Sequence, residues 1–192
     1  MSVLTIDGSH GEGGGQILRT ALSVSAVTAR PFRLTNIRAG RQNPGLLPQH
    51  LSAVRAAARI SGATVSGDWL GSTELSFAPT HSPRPGSYVL DVAETAERGS
   101  AGSVTLILQT LLLPLAMTDA TSTLVLRGGT HVEWSPSFDD LTNSYFPMLR
   151  RECCLRAFRK ASTQPVRDVG EGRYRIGVAL FWCCSDCGFL AR

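Results

Sequence analysis

The chain resembles itself at a spacing of 90 residues, and this internal repeat constrains the fold more than any other feature. Ile17-Leu18-Arg19-Thr20-Ala21-Leu22 aligns with Ile107-Leu108-Gln109-Thr110-Leu111-Leu112. Each stretch follows a run of small residues, Gly13-Gly14-Gly15 in one case and Ser100-Ala101-Gly102-Ser103 in the other. Leu34 to Gly40 aligns with Leu124 to Gly129 with one gap, and Leu51 with Leu141. A period this long points to duplication of a small domain rather than to a solenoid.

Hydrophobic periodicity predicts the same elements in both copies. In the first it gives a strand over 3–6, a helix over about 15–29, a strand over 32–37, a helix over about 47–61, and strands over 63–67 and 73–78. Pro48 suits the first turn of its helix, and Gly62 is a stop signal behind it. Leu51, Val54 and Ala58 share one face of that helix, and Arg55 and Arg59 another. The second copy predicts a strand over 87–92, a helix over about 101–118, a strand over 122–127 and a helix over about 137–151. Beyond that the pattern changes, and only residues 172–182 offer a further strand, of ambiguous period. The expected fold class is α+β: tandem βαβαββ units, each a small sheet with two helices on one face, the second incomplete. The units are expected at residues 1–80 and 81–151. An incomplete second sheet would leave an open edge, a route to self-association.

Charge and cysteine mark a boundary near Arg151. Residues 1–150 hold 11 Arg, no Lys and 11 acidic residues, whereas 151–192 hold 8 basic and 4 acidic ones. The whole net charge of +4 therefore sits in the last segment, with Lys160 and all five cysteines: Cys153, Cys154, Cys183, Cys184 and Cys187. Residues 152–192 read as a Cys-rich basic tail, frameshifted or irregular. Cys184 and Cys187 form a zinc half-site, but the adjacent pair Cys153-Cys154 cannot supply a spaced second half, which argues against zinc. The longest apolar stretch, Val104 to Met117, is interrupted by Thr105, Gln109, Thr110 and Pro114, so no membrane span is expected. The N-terminus lacks the basic and apolar regions of a signal peptide, and the expected location is the cytoplasm.

The chemistry-bearing stretch is Gly11-Glu12-Gly13-Gly14-Gly15-Gln16-Ile17-Leu18-Arg19-Thr20. Glycines of this density permit positive φ and close approach to a ligand. The helix start that follows offers free N–H groups and a positive dipole end, which suit a phosphate. Glu12 would repel phosphates unless a divalent cation lay between them, so it reads as a metal ligand or a proton-transfer group. The run is neither a Walker A loop, lacking Gly-Lys-Ser/Thr, nor a dinucleotide fingerprint, since Gln16 stands where the third glycine belongs.

Three further segments carry candidates. Arg38 and Arg41 flank a glycine beyond a predicted strand, two guanidinium forks suited to phosphate. Gln49 and His50 follow at a helix start. Gln109 occupies the repeat position of Arg19, either as a nucleotide partner or as a satisfied core amide. Gly128-Gly129-Thr130-His131, followed by Trp134-Ser135-Pro136, is the repeat counterpart of the Arg38–Arg41 loop. His131 offers a ligand or a general base; for it, His10 and His50 a solvated loop histidine is the commoner case. His81 lies in a Pro/Ser-rich loop with no partner in view.

In this order and at these spacings, the segments resemble the RNA 3′-terminal phosphate cyclase family. The matching residues are Gly11 to Arg19, Ile37 to Arg41, Pro44-Gly45-Leu46, Pro48 to Leu51, Ala101-Gly102-Ser103, Gln109-Thr110 and Gly128-Gly129-Thr130. The match covers about residues 1 to 151 and accounts for the repeat, because the family is built from repeated βαβαββ units. The resemblance implies a ligase-class enzyme of RNA processing that uses ATP with Mg²⁺ or Mn²⁺. A histidine takes AMP from ATP and passes it to an RNA 3′-phosphate. The vicinal 2′-hydroxyl then closes a 2′,3′-cyclic phosphate and releases AMP. By the same resemblance Glu12 is the metal-linked carboxylate. Arg19, Arg38 and Arg41 bind phosphate, Gln49 and Gln109 belong to the nucleotide site, and Pro136 lines the same pocket. The family's nucleophilic histidine has no counterpart here, nor has its Tyr-Pro-x-Gly-Gly-Gly turn. The implied product is a truncated cyclase, inactive alone, with no catalytic residue identified. Two alternatives stand beside it. One is a non-catalytic nucleotide- or RNA-end-binding module of the family. The other is an enolpyruvyl transferase of related fold, against which the Arg38-to-Leu51 match argues.

Overall fold

Two parallel strands joined by a helix open the chain. The structure is a computed structural model and describes residues 3–11, 13–92, 102–152, 158–165 and 173–180. Strand β1 (Leu4–Asp7) leads to α1 (Gly15–Thr28), then β2 (Phe32–Thr35), α2 (Pro48–Ser61), β3 (Thr64–Ser66) and β4 (Leu75–Ala78). Parallel pairing of β1 with β2, from Leu4 opposite Phe32 to Asp7 opposite Thr35, requires a crossover, and α1 supplies it. β4 pairs antiparallel with both β2 and β3, so the sheet order is β1-β2-β4-β3. Leu18, Leu22, Ser25 and Ala26 of α1 are buried at helical spacing. Its end turns at Ala29 in the left-handed region, and α2 ends at Gly62, whose N–H bonds the carbonyl of Ala58.

The second copy repeats the order. It comprises β5 (Ser87–Asp91), α3 (Val104–Ala116), β6 (Ser122–Gly129), α4 (Phe138–Asp140), a π-helical turn at Leu141–Tyr145, α5 (Phe146–Glu152), β7 (Phe158–Pro165) and β8 (Arg173–Leu180). β5 runs parallel to β6, β8 pairs antiparallel along the whole of β6, and β7 pairs with β8. The order β5-β6-β8-β7 matches that of the first sheet. The fold is α+β. Where the sequence predicts a second unit stopping near Arg151, the structure adds a strand pair. β8 covers the edge of β6, so among the described residues the sheet ends at β7. One of these strands, β8, lies inside the 172–182 stretch. β7 reads Phe-Arg-Lys-Ala-Ser-Thr-Gln-Pro, too polar and too irregular to announce a strand. The five cysteines lie outside the described residues. The helix expected over 137–151 is broken by the π turn; Ser137 caps its start, with Oγ accepting from the Asp140 N–H at 3.1 Å.

Helix α2 joins the two cores. Ala53, Val54 and Ala57 pack with Leu18, Leu22, Phe32 and Phe77, while Ala56 and Ile60 pack with Ile107, Leu111 and Leu126. Both flanks of α2 are thus buried, and its charged residues are confined to a narrow strip. Arg55 is exposed there, and Arg59 donates to the Val89 carbonyl at 3.0 Å while lying over the Tyr88 ring.

The loop between β2 and α2 is pinned by backbone bonds. Gly45 N–H donates to Ile37 O at 2.8 Å, Leu46 N–H to Ser72 O at 2.9 Å, and Gly71 N–H to Leu46 O at 2.8 Å. Gly45 sits at φ +80, and a Cβ there would run into the Gly71 carbonyl. Gly45→Ala is therefore expected to destabilise the protein by about 2 kcal/mol or more. Gly40→Ala, whose Cβ would meet nothing within 4 Å, should cost well under about 1 kcal/mol. Urea unfolding of the two variants tests the difference; equal midpoints would refute it.

Candidate functional site

The site is assembled where α1 begins. Gly11 and Gly13 adopt φ +61 and +57, and Gly13 N–H closes a turn onto His10 O at 3.1 Å. Gly14 precedes the helix in an extended conformation, and the first turn carries no acidic side chain. The N-terminal N–H groups of a 14-residue helix are thus left facing the cleft without a carboxylate from that turn. The next two glycines make room for neighbours. A Cβ on Gly14 would stand 3.5 Å from the Arg41 guanidinium, and one on Gly15 would collide with the His50 ring.

Arg19 projects one turn further on. Its Nε donates to Gln109 Oε1 at 3.2 Å and its Nη2 to Gln16 Oε1 at 3.1 Å. The repeat-equivalent positions Arg19 and Gln109 are therefore in contact, one from α1 and one from α3. Burial lowers the Arg19 pKa from its ordinary value, and burial followed by the charge of Arg41 lowers that of Arg38. Arg38 itself sits at φ +56 and donates through Nη1 to Asn43 O at 2.5 Å and to Gly45 O at 3.0 Å. Its head is held by its own pinned loop.

His50 is buried, with 3% of its surface exposed. Its Nδ1 accepts the Leu47 N–H at 3.1 Å, so the ring proton resides on Nε2. Burial first, then the charges of Arg38 and Arg19, push its pKa down to about 3. His50 is a neutral imidazole whose Nε2 packs against Gly15 beside the cleft, not the solvated loop histidine expected from sequence.

Together these groups enclose a cleft of about 460 Å³. It is lined by Arg19, Arg38, Arg41, Gln49 and His50 and by Gly13 to Ile17, together with His10, Leu106 and Trp134, the last 97% exposed and so at its mouth. Among the described residues no carboxylate lines it. Three guanidinium groups, a helix start and a neutral imidazole converge on one space, an arrangement suited to a polyanion with several terminal oxygens.

The other candidates fall elsewhere. Glu12 lies outside the described residues. Pro136 is not among the residues that line the arginine cleft. It lines a neighbouring, mainly apolar cleft of about 330 Å³ with Gln109, Thr105 and Tyr145, and its carbonyl accepts from Thr105 Oγ1 at 2.8 Å. Gln109 is exposed rather than a core amide, and it touches both clefts through Arg19. His131 is drawn to Asp139, 3.2 Å from Nε2, and to Thr130, 3.0 Å from Nδ1, away from the arginines. His81 Nδ1 lies 2.8 Å from Ser82 O. A larger groove of about 520 Å³ holds Arg33, but Glu74 pairs with it at 2.6 Å. Among the described residues no group of three His, Cys, Asp or Glu could hold a metal ion. Sequence reasoning passed over Trp134 as a site residue. Its position beside the Gly128-Gly129-Thr130 motif, the repeat counterpart of the arginine loop, was the available signal.

Comparison with known proteins adds an independent finding. A family model described as RNA 3′-terminal phosphate cyclase matches residues 10–179. The match runs past Arg151 and through β7 and most of β8, so the segment expected to lie outside the resemblance falls largely within it. The chain is 59% identical over 149 residues to an RNA 3′-terminal phosphate cyclase of Gloeothece citriformis, covering 78% of this chain and 43% of the relative. It is 50% identical over 179 residues to one of Methylococcus capsulatus (93% and 49% covered). A third, from Archaeoglobus fulgidus, is 48% identical over 161 residues (82% and 47%). The chain thus spans about half the length of these relatives.

Proposed function

Because the chain belongs to the RNA 3′-terminal phosphate cyclase family, we propose that its arginine cleft receives the phosphate groups on which cyclisation acts, those of ATP and of an RNA 3′ end. The observation that carries this reading is the convergence of Arg19, Arg38 and Arg41 on the α1 start in a cleft that no described carboxylate lines. Arg forks grip phosphate oxygens in fixed directions, and the helix N–H groups complete the cage. The adjoining cleft beside Gln109 and Pro136 is apolar with a few polar groups, as a nucleobase pocket should be. Arg19, bonded to Gln109, ties base and phosphate positions together. Mg²⁺ or Mn²⁺, with Glu12 as its carboxylate, would neutralise phosphate charge and sharpen the phosphorus as an electrophile.

The overall reaction is ATP-dependent closure of a 3′-phosphate to a 2′,3′-cyclic phosphate through adenylylated intermediates. In it this chain's residues bind and orient. His50 cannot serve as the nucleophile on its Nε2 face, because that nitrogen carries the proton, and none of His10, His81 and His131 stands in the family's nucleophile motif. A second reading, a nucleotide- or RNA-end-binding module without turnover, rests on the same cleft.

One titration tests the reading. A 3′-phosphorylated oligoribonucleotide should bind at least about tenfold more tightly than its 3′-hydroxyl twin, since several charge-assisted hydrogen bonds are at stake. Equal affinities would refute it. Incubation with ATP and Mg²⁺ or Mn²⁺ should leave no AMP on this polypeptide. A protein–AMP adduct would show that one of its own histidines is the nucleophile.

A further inference from the structure

Trp134 is 97% exposed, more than any other large apolar side chain among the described residues. It sits at φ +61, a left-handed conformation that is an outlier for a bulky residue. Such strain persists only where neighbouring contacts over-determine the backbone, and here they do. Ser135 N–H and Oγ both donate to Val132 O, at 3.2 and 2.7 Å. Phe138 N–H donates to Thr130 O at 3.0 Å, and the His131–Asp139 pair spans the base of the loop. The loop thus holds an indole out into solvent, and it does so at the edge of the arginine cleft.

We propose that Trp134 is the stacking platform for the base of the RNA's 3′-terminal nucleotide. This rests on the reading of the arginine cleft as a 3′-phosphate site. A terminal nucleotide carries its base one sugar away from its 3′-phosphate, so a phosphate among the arginines leaves the base at the rim. An aromatic face there gains contact with any base, because every base offers a π face, and it adds affinity without selecting sequence. The indole also carries apolar area that stacking would remove from water. ATP's base is the weaker occupant, since a separate apolar cleft, lined by Gln109 and Pro136 and not by Trp134, adjoins Arg19 through its bond to Gln109. Trp69, also exposed at 63%, lies in the groove with Arg33 and Glu74 and serves as an internal control.

The test is an anisotropy titration of the full chain with a 3′-phosphorylated oligoribonucleotide. A second probe has the same terminal sugar and phosphate but no terminal base. Trp134→Ala should weaken binding of the complete oligonucleotide about five- to a hundredfold. Trp134→Phe should retain most of the affinity, and Trp69→Ala all of it. The abasic probe should lose a similar factor on the unaltered protein and little more on Trp134→Ala. If the unaltered protein prefers the 3′-phosphate but Trp134→Ala binds as tightly, the platform is refuted and the phosphate site stands. If the unaltered protein does not distinguish 3′-phosphate from 3′-hydroxyl, the phosphate site fails and the platform with it. A loss of ATP affinity in Trp134→Ala with none for the oligonucleotide would also overturn the assignment.

Discussion

Arg19→Ala is expected to weaken binding of ATP and of a 3′-phosphorylated RNA end by about 2 kcal/mol or more, roughly thirtyfold in Kd. Three consequences combine in this one change. A half-buried fork that lines the cleft is lost, Gln109 Oε1 loses its Nε donor at 3.2 Å, and Gln16 Oε1 loses its Nη2 donor at 3.1 Å. Arg19→Lys keeps the charge but gathers its donors on one nitrogen, losing the fork whose Nε and Nη2 reach Gln109 and Gln16 separately and that grips phosphate in fixed directions, so it should remain at least about tenfold impaired. Gln109→Ala removes only the alignment and should cost less than either. Calorimetric titration with ATP and Mg²⁺ decides it. Unchanged affinity in Arg19→Ala would remove Arg19 from the phosphate site.

Stability should fall as pH drops below about 6.5, with His50 as the cause. In the folded chain its pKa is pushed down to about 3, against an ordinary 6.5. Between these values the unfolded chain binds a proton that the folded chain refuses, so the slope of stability against pH is positive there. The contribution is fully present above the ordinary value and drains away towards pH 3, with a total of about 5 kcal/mol. Asp7 and Asp140 also have lowered values, through hydrogen bonds from Ser9 and Ser137, but their contributions are lost only below the carboxylate range. The window between about pH 4.5 and pH 6.5 is therefore where the imidazole should be read. His50→Gln can still accept the Leu47 N–H while carrying no titrating group. It should flatten the slope of the urea midpoint in that window. An unchanged slope in His50→Gln would show that another group titrates there.

Residues tied to local pattern were legible in the chain itself. Leu18, Leu22 and Ala26 announce α1 by their spacing, Pro48 and Gly62 bracket α2, and the 90-residue offset identifies Arg19 and Gln109 as counterparts. β7 was not legible, because its polar residues gain their strand from pairing with β8 and not from any alternation of their own. The abrupt change in charge and cysteine usage near Arg151 is real, yet pairing continues across it: β8 lies along β6 from Ser122 to Gly129.

By itself, then, the sequence determined the α+β elements of each copy and the residue types available for binding phosphate. Periodicity, glycine and proline are short-range signals, and they act within a turn or two of chain. Tertiary structure alone decided which of those residues meet. His50 became a buried neutral imidazole because Gly15, 35 positions earlier, leaves space for its ring beside Arg19. Pro136 was carried to a second cleft by its bond to Thr105, and Trp134 was brought to the rim of the first by the turn that follows β6. These are long-range contacts, and no local pattern encodes them, since each depends on how α1, α2 and α3 pack on one another.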